Sequence, residues 1–282
     1  MSTITTSETV QPRALHRSPS SIARVGFGRL IAVELRKATN TRAARALLIA
    51  SCGVSLLAMV IATIVNVNEH SVGSIPMFLQ FAVVFCQILL PLVAVMLVTS
   101  EWTQRTGMVT FAIEPRRALV IFAKLAASLL LAVVVAVVLG AASLGLVWVT
   151  QAASGQPADW TNWFVAVGSN VLAQLIWVLI AFALASLFLN TPAAIVGFFV
   201  VQLVFSVIFQ ILGQLSATKD IVPWFDISSA VSKLGSGQLF GYWAPPQYDA
   251  SADWGHLVVA LAVWMVLPLV LGLIRVIRAE IK

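Results

Sequence analysis

The sequence has 282 residues, of which 60% are apolar and only 10% are charged, and its mean hydropathy is +0.98. Soluble globular proteins carry about 25% charged residues, so this composition excludes a soluble fold and predicts an integral membrane protein. Basic loops on the cytoplasmic side of a membrane account for the net charge of +6, and we therefore predict no nucleic-acid partner.

The N-terminal region precedes the apolar part of the chain. Residues 1–24 are rich in Ser, Thr and Pro without apolar periodicity, which predicts a disordered cytoplasmic tail. Over 27–45 an apolar face at helical spacing is combined with basic residues, which predicts an amphipathic interfacial helix against membrane lipid. Its basic residues are Arg29, Arg36, Lys37, Arg42 and Arg45. A solvated helix that only sets orientation is the alternative.

Six apolar segments follow, each about long enough to cross a bilayer. Each is expected to be helical, because hydrocarbon cannot satisfy open backbone amides. The predicted spans are 46–66, 76–99, 119–149, 163–189, 193–215 and 256–274. The predicted fold is therefore an all-α integral membrane protein, with a single transmembrane domain over 25–282.

The distribution of basic residues predicts the orientation. With the N-terminus in the cytoplasm, 15 of the 17 Lys and Arg residues fall on the cytoplasmic side, and only Lys219 and Lys233 fall outside. The positive-inside rule then places both termini in the cytoplasm, as in a multi-pass protein of the cell membrane.

The segment 216–255, between the fifth and sixth spans, is predicted to carry a short helix. Asp226 is a candidate N-cap, and an apolar face follows at helical spacing. That face consists of Ile227, Ala230, Val231 and Leu234. The helix would be either an outer gate over a pathway or a lid that only covers helix ends.

Neutral polar and aromatic residues within the spans are candidates for a substrate pathway. They are Asn66, Gln80, Gln87, Gln202, Phe205 and Phe209. For any one of them, helix–helix packing is the simpler explanation. The spans are expected to carry no deep ionisable residue, which argues against a proton-driven carrier.

Catalytic signatures are missing from the sequence. It contains no GxxxxGK[ST] phosphate loop, no HExxH, no CxxC and no GxSxG. We therefore predict that the chain is not an enzyme, has no catalytic or metal-binding residues, and holds no cofactor of its own.

The stretch from Thr99 to Leu125, between the second and third spans, concentrates polar residues. It presents Glu101, Thr106–Gly107, Pro115–Arg116–Arg117 and Lys124 in that order. This order resembles the cytoplasmic loop in permease subunits of ABC-2 type ABC exporters, in an actinobacterial-like branch, with the usual Gly–Thr pair inverted. The segment ELRKATNTRAARALL, from Glu34, is similar to the interfacial helix of that family.

The resemblance implies a permease subunit of an ATP-driven exporter. It would form the translocation pathway as a dimer with a second copy or a homologous permease. Separate ATPase subunits would hold ATP and Mg. A secondary transporter, or a membrane anchor or scaffold protein that ATP does not drive, is the alternative.

The cytoplasmic segment 100–118 would be the part that couples to the ATPase, with a coupling helix over about 101–113. Glu101 and Arg105 are spaced i, i+4 and would pair on one helical face. The coupling residues that the resemblance implies are Glu101, Trp102, Arg105, Thr106, Gly107 and Phe111.

Overall fold

The computed structural model describes residues 26–103, 116–242 and 250–278, and over these residues it contains eight helices and no strand. The helices are α1 (Phe27–Asn40), α2 (Arg42–Asn68), α3 (Ile75–Thr103), α4 (Arg117–Ser154), α5 (Trp163–Phe188), α6 (Thr191–Leu212), α7 (Ile227–Gly235) and α8 (Ala250–Arg278). All except α1 and α7 are long and apolar enough to cross a membrane. The predicted all-α fold with six spanning helices is confirmed, and the protein is a multi-pass helical membrane protein. The predicted tail lies outside the described residues.

The observed helices start and end within a few residues of the predicted spans. The largest extension is in α8, which runs over Ala250–Arg278 where 256–274 was predicted. The longest helix is α4, with 38 residues. At 1.5 Å per residue it is about 57 Å long, well beyond the ~30 Å apolar core of a bilayer. Hydropathy marks only the apolar part of a helix, and α4 continues to Gly155, whose φ of 69° ends it in the left-handed region.

The predicted interfacial helix over 27–45 is shorter than expected. α1 ends at Asn40, Thr41 is extended, and α2 begins at Arg42. Thr and Asn side chains compete for backbone groups and weaken a helix. Arg45 stabilises the break, because its Nε donates to the Thr39 carbonyl at 3.2 Å. Arg42 and Arg45 therefore belong to the first turn of α2.

α5 forms the centre of the bundle. Every side chain from 180 to 185 is buried, and α3, α4, α6, α7 and α8 all pack against this helix. Its small residues allow close approach, as is usual between membrane helices. α8 comes very near at Gly272, where an added Cβ would lie 2.8 Å from Ser186 Cβ and 2.9 Å from the Leu187 amide nitrogen. α2, α6 and α8 turn much of their apolar surface outward.

We call the end of the bundle with residues 26, 103, 116 and 278 the terminal end, and the opposite end the far end. α7 lies at the far end and begins as predicted, because Asp226 accepts a hydrogen bond from the Ser229 amide at 3.1 Å. All four residues of its predicted apolar face are buried. They pack inward among residues of α5 and α8, and Ser169 of α5 also donates to the Gly235 carbonyl at 3.1 Å. α7 is thus part of the bundle. Residues 243–249, including the two prolines there, lie outside the described residues.

Candidate functional site

Four charged side chains from three helices meet at the terminal end. Lys124 of α4 places its Nζ 2.8 Å from Glu34 Oε2 of α1 and 3.0 Å from Glu101 Oε1 of α3. Lys37 of α1 places its Nζ 2.7 Å from Glu34 Oε1 and 3.0 Å from the same Glu101 oxygen. We call these four residues the charged cluster. It joins the helix before the first span to the two helices that flank residues 104–115.

Three of the four side chains in the charged cluster are buried. Lys124 is only 1% exposed, and the two carboxylates are 4% and 5% exposed. The Lys124 ammonium also donates to the Leu97 carbonyl at 3.1 Å, so each of its three protons has an acceptor. Two cations face two anions, which satisfies the requirement that a buried charge be paired and hydrogen-bonded.

Lys37 is the most exposed member, and its environment shifts its titration. Burial lowers the pKa of its ammonium, but the hydrogen bonds and the negative charges of Glu34 and Glu101 outweigh that effect and hold the pKa above its usual 10.5. A raised folded pKa means that Lys37 stabilises the fold below the usual pKa. This stabilisation is lost as the pH rises through the folded pKa.

Thermal unfolding between pH 9 and pH 12 tests this contribution. We expect the wild-type protein to lose stability as Lys37 deprotonates, and Lys37→Arg to lose less because a guanidinium stays charged in this range. Identical pH profiles for the two proteins would show that the charge of Lys37 does not stabilise the fold.

The charged cluster bears on two sequence expectations. The spans were expected to carry no deep ionisable residue, and Lys124 lies near the start of the predicted span 119–149, at the terminal end, where its side chain is among the most buried. Glu101 was expected to pair on its own helix with Arg105, which lies outside the described residues. The Glu101 carboxylate is buried against Lys124 and Lys37 of the neighbouring helices.

The other implied coupling residues are only partly described. Trp102 is partly buried and packs against the central core of the bundle. The remaining coupling residues, Arg105, Thr106, Gly107 and Phe111, lie outside the described residues. Of the basic residues assigned to a membrane surface, only Lys37 is turned into the charged cluster. The others, Arg29, Arg36, Arg42 and Arg45, are exposed.

A second polar arrangement lies midway along α3. Pro91 lacks an N–H, so the Gln87 carbonyl one turn earlier loses its helical donor. Gln202, in the π-helical turn Val200–Val204 of α6, supplies a replacement, because its Nε2 donates to that carbonyl at 3.0 Å. Gln174 of α5 similarly donates to the adjacent Cys86 carbonyl at 3.2 Å. Two buried amides therefore satisfy the backbone around the proline.

A double-mutant cycle tests the link between Pro91 and Gln202. Gln202→Leu should cost about 1–3 kcal/mol of unfolding free energy, because it leaves a buried carbonyl without a donor. In a Pro91→Ala background the cost should shrink, since the new Ala N–H can donate to the same carbonyl. The measurement is the unfolding free energy of the four proteins, and equal costs in both backgrounds would contradict the assignment.

A cavity of about 260 Å³ lies between α3, α5 and α7, in the half of the bundle nearer the far end. Its polar lining is uncharged and includes the predicted pathway residues Gln80 and Gln87. Its other polar and aromatic lining residues include Asn170, Trp177, Ser228, Ser232 and Ser236, none of which was predicted. The three serines repeat at helical spacing, but only the packing of α7 and α5 against α3 shows that these residues face one cavity. A small continuation toward α4 is lined by Gln174, whose buried Oε1 has no hydrogen-bond partner among the described residues.

The structure separates the remaining predicted pathway residues from this cavity. Asn66 donates to the Ala62 carbonyl of its own helix at 2.8 Å and accepts from Ser71 at 3.0 Å, so it organises the end of α2. Phe205 stacks on Phe209 and contacts Trp264 of α8. Phe209 lines a different cavity at the far end. Gln202 donates its side-chain amide hydrogen to the Gln87 carbonyl.

Over the described ranges no group of three His, Cys, Asp or Glu side chains could hold a metal ion.

The fold and these sites define a six-span helical membrane protein with a neutral polar cavity and a buried charged cluster. No known family model matches the sequence, and no curated protein matches it significantly.

Proposed function

We propose that this chain is the permease subunit of an ATP-driven exporter of the ABC-2 type. It would form the translocation pathway as a dimer with a second permease. Separate ATPase subunits would bind ATP and Mg and act on the segment between α3 and α4, on the cytoplasmic side of the cell membrane. The chain itself would carry no ATPase activity.

The observation that carries the proposal is the charged cluster. Residues 104–115 connect the end of α3 at Thr103 to the start of α4 at Arg117, so a partner that moves this segment would pull on the ends of both helices. Lys124 and Glu101 tie these two ends together, and Glu34 adds α1 to the same unit. A force on the segment would thus move three helices as one body.

α3 connects this unit to the neutral cavity. Starting from Glu101 at the terminal end, the helix passes Pro91 and then presents Gln87 and Gln80 to the cavity. Prolines are common points of bending in helices. A displacement at the terminal end would therefore change the angle of the half of α3 that lines the cavity, which is the kind of two-state change that a transport cycle needs.

The decisive experiment is ATP-dependent transport by the purified complex with its ATPase in proteoliposomes. Because Glu101 is buried in the charged cluster, its substitution would confuse uncoupling with unfolding. The informative variant is Arg105→Glu, in the segment that would meet the ATPase. We expect it to reduce ATP-dependent transport by about tenfold or more, measured at matched amounts of folded complex.

Arg278→Glu is the matched control, because it reverses one exposed charge at the end of α8, outside the segment 104–115. It should transport like the wild type. If Arg105→Glu transports normally, or if the chain alone moves substrate down an ion gradient without ATP, the proposal is wrong.

A further inference from the structure

The far end holds a second cavity, of about 540 Å³, between the end of α6, the loop that follows it, and α7. Both lysines that the positive-inside count assigned to the outer side, Lys219 and Lys233, line it. Membrane proteins place few basic residues in that position, and here the two that occur share one cavity. Neutral hydrogen-bonding side chains complete the polar wall, namely Gln210, Ser229 and Ser232.

The charges around this cavity leave one cation available. Lys233 is occupied by an ion pair with Asp253 of α8, at 2.6 Å. The one acidic lining residue, Asp226, is occupied as the N-cap of α7, and burial raises the pKa of its carboxyl. Among the residues that the structure describes, no carboxylate lies within ion-pair distance of the Lys219 ammonium. The lining thus has two lysines to one aspartate, and Lys219 is exposed.

Apolar surface leads directly to this cavity. Ile211 at the end of α6 is 59% exposed, and Ile221 beside Lys219 is 60% exposed. Trp224 and Phe225, on the same loop, are also exposed, and aromatic side chains favour the level of the lipid headgroups. The cavity therefore combines a cation and hydroxyl donors with an adjoining surface that acyl chains can cover.

We propose that this cavity binds the phosphate of an anionic phospholipid, with its acyl chains along the exposed face of α6. Lys219 supplies the charge, and Gln210, Ser229 and Ser232 supply neutral donors to the phosphate oxygens. The site borders the neutral cavity between α3, α5 and α7, since Ser228 and Ser232 of α7 line both, but it does not depend on coupling to an ATPase.

Equilibrium binding of a fluorescent phosphatidylglycerol to the purified protein in neutral detergent tests the proposal. A diacylglycerol with the same label and chains is the reference probe without phosphate. We expect the phosphate-bearing probe to bind more tightly. Lys219→Gln should weaken it on the order of fivefold, as expected for one lysine near anionic lipid, and Lys219→Arg should retain it.

Two further measurements test whether the position of Lys219, rather than the net charge of the protein, determines binding, and whether free phosphate competes with the lipid. The double variant Lys219→Gln/Asp220→Asn has the net charge of the wild type, because it removes one positive and one negative charge. Asp220 is exposed and does not line the cavity, so its substitution leaves the lining unchanged. Binding should stay weak in this double variant, and restored binding would overturn the proposal. Equal affinity for the two probes would overturn it as well. Competition by millimolar inorganic phosphate would support recognition of phosphate itself, whereas no competition would support recognition of the whole lipid.

Discussion

Lys124→Met should be among the most destabilising single substitutions in this protein. It removes a cation that is 1% exposed and contacts both buried carboxylates, Glu34 and Glu101, each of which then loses an ion-pair partner. Breaking a buried ion pair from one side typically costs about 3–5 kcal/mol, because the remaining charge stays buried and unpaired. We expect that loss in the unfolding free energy, measured by titration with a denaturing detergent.

The double variant Lys124→Met/Glu101→Gln separates the charge imbalance from the loss of packing. It leaves one cation and one anion, Lys37 and Glu34, which still contact each other at 2.7 Å. Replacing a buried pair as a unit is often nearly neutral, so the double variant should recover most of the lost stability. Arg278→Met, which removes an exposed cation, is the control and should change stability by less than about 0.5 kcal/mol. A double variant as unstable as Lys124→Met would show that charge balance is not what the cluster requires.

Gly272→Ala is the second substitution with a large expected effect. The new Cβ would lie within 2.9 Å of backbone atoms of α5, and backbone cannot move aside as a flexible side chain can. Overpacking of this kind typically costs about 1–3 kcal/mol, which outweighs the ~1 kcal/mol that Ala usually gains over Gly within a helix. Gly272→Leu should be worse, because it separates α8 from α5 along a longer stretch.

Gly145→Ala and Gly168→Ala provide matched controls. Both glycines lie within spanning helices, and an added Cβ meets nothing within 4 Å at either position. These variants should be neutral or more stable by up to about 1 kcal/mol. The unfolding midpoints of the three alanine variants decide the point, since a Gly272→Ala protein as stable as the controls would mean that α5 and α8 do not pack this closely.

The sequence predicted the elements of this fold well and their contacts poorly. Length and hydropathy determine where a helix can cross a bilayer, so all six spans were found. Asp226 and the apolar face after it follow local rules of helix capping and periodicity, which also hold in the structure. The interfacial helix was predicted too long, because its end was set by the basic residues as far as Arg45, whereas the backbone breaks at Thr41.

The charged cluster escaped prediction for a physical reason. Glu34 and Lys124 are 90 positions apart, and no local spacing rule relates them. Lys124 was counted as a loop charge because it lies at the start of an apolar run. Pro91 did carry a usable signal, since a proline in the interior of a helix frees the carbonyl one turn earlier, but only the packing of α6 on α3 shows that Gln202 is the donor. Gln202 was therefore predicted to line a pathway, whereas its side-chain amide donates a hydrogen bond to the Gln87 carbonyl.

The charged cluster also has a consequence for synthesis. Glu34 and Lys37 leave the ribosome first, then Glu101, and the buried cation Lys124 comes last. A nascent chain that has made only α1 to α3 therefore lacks the member of the cluster that contacts both carboxylates. We expect the first three helices to reach their final positions at the terminal end only once α4 has been inserted.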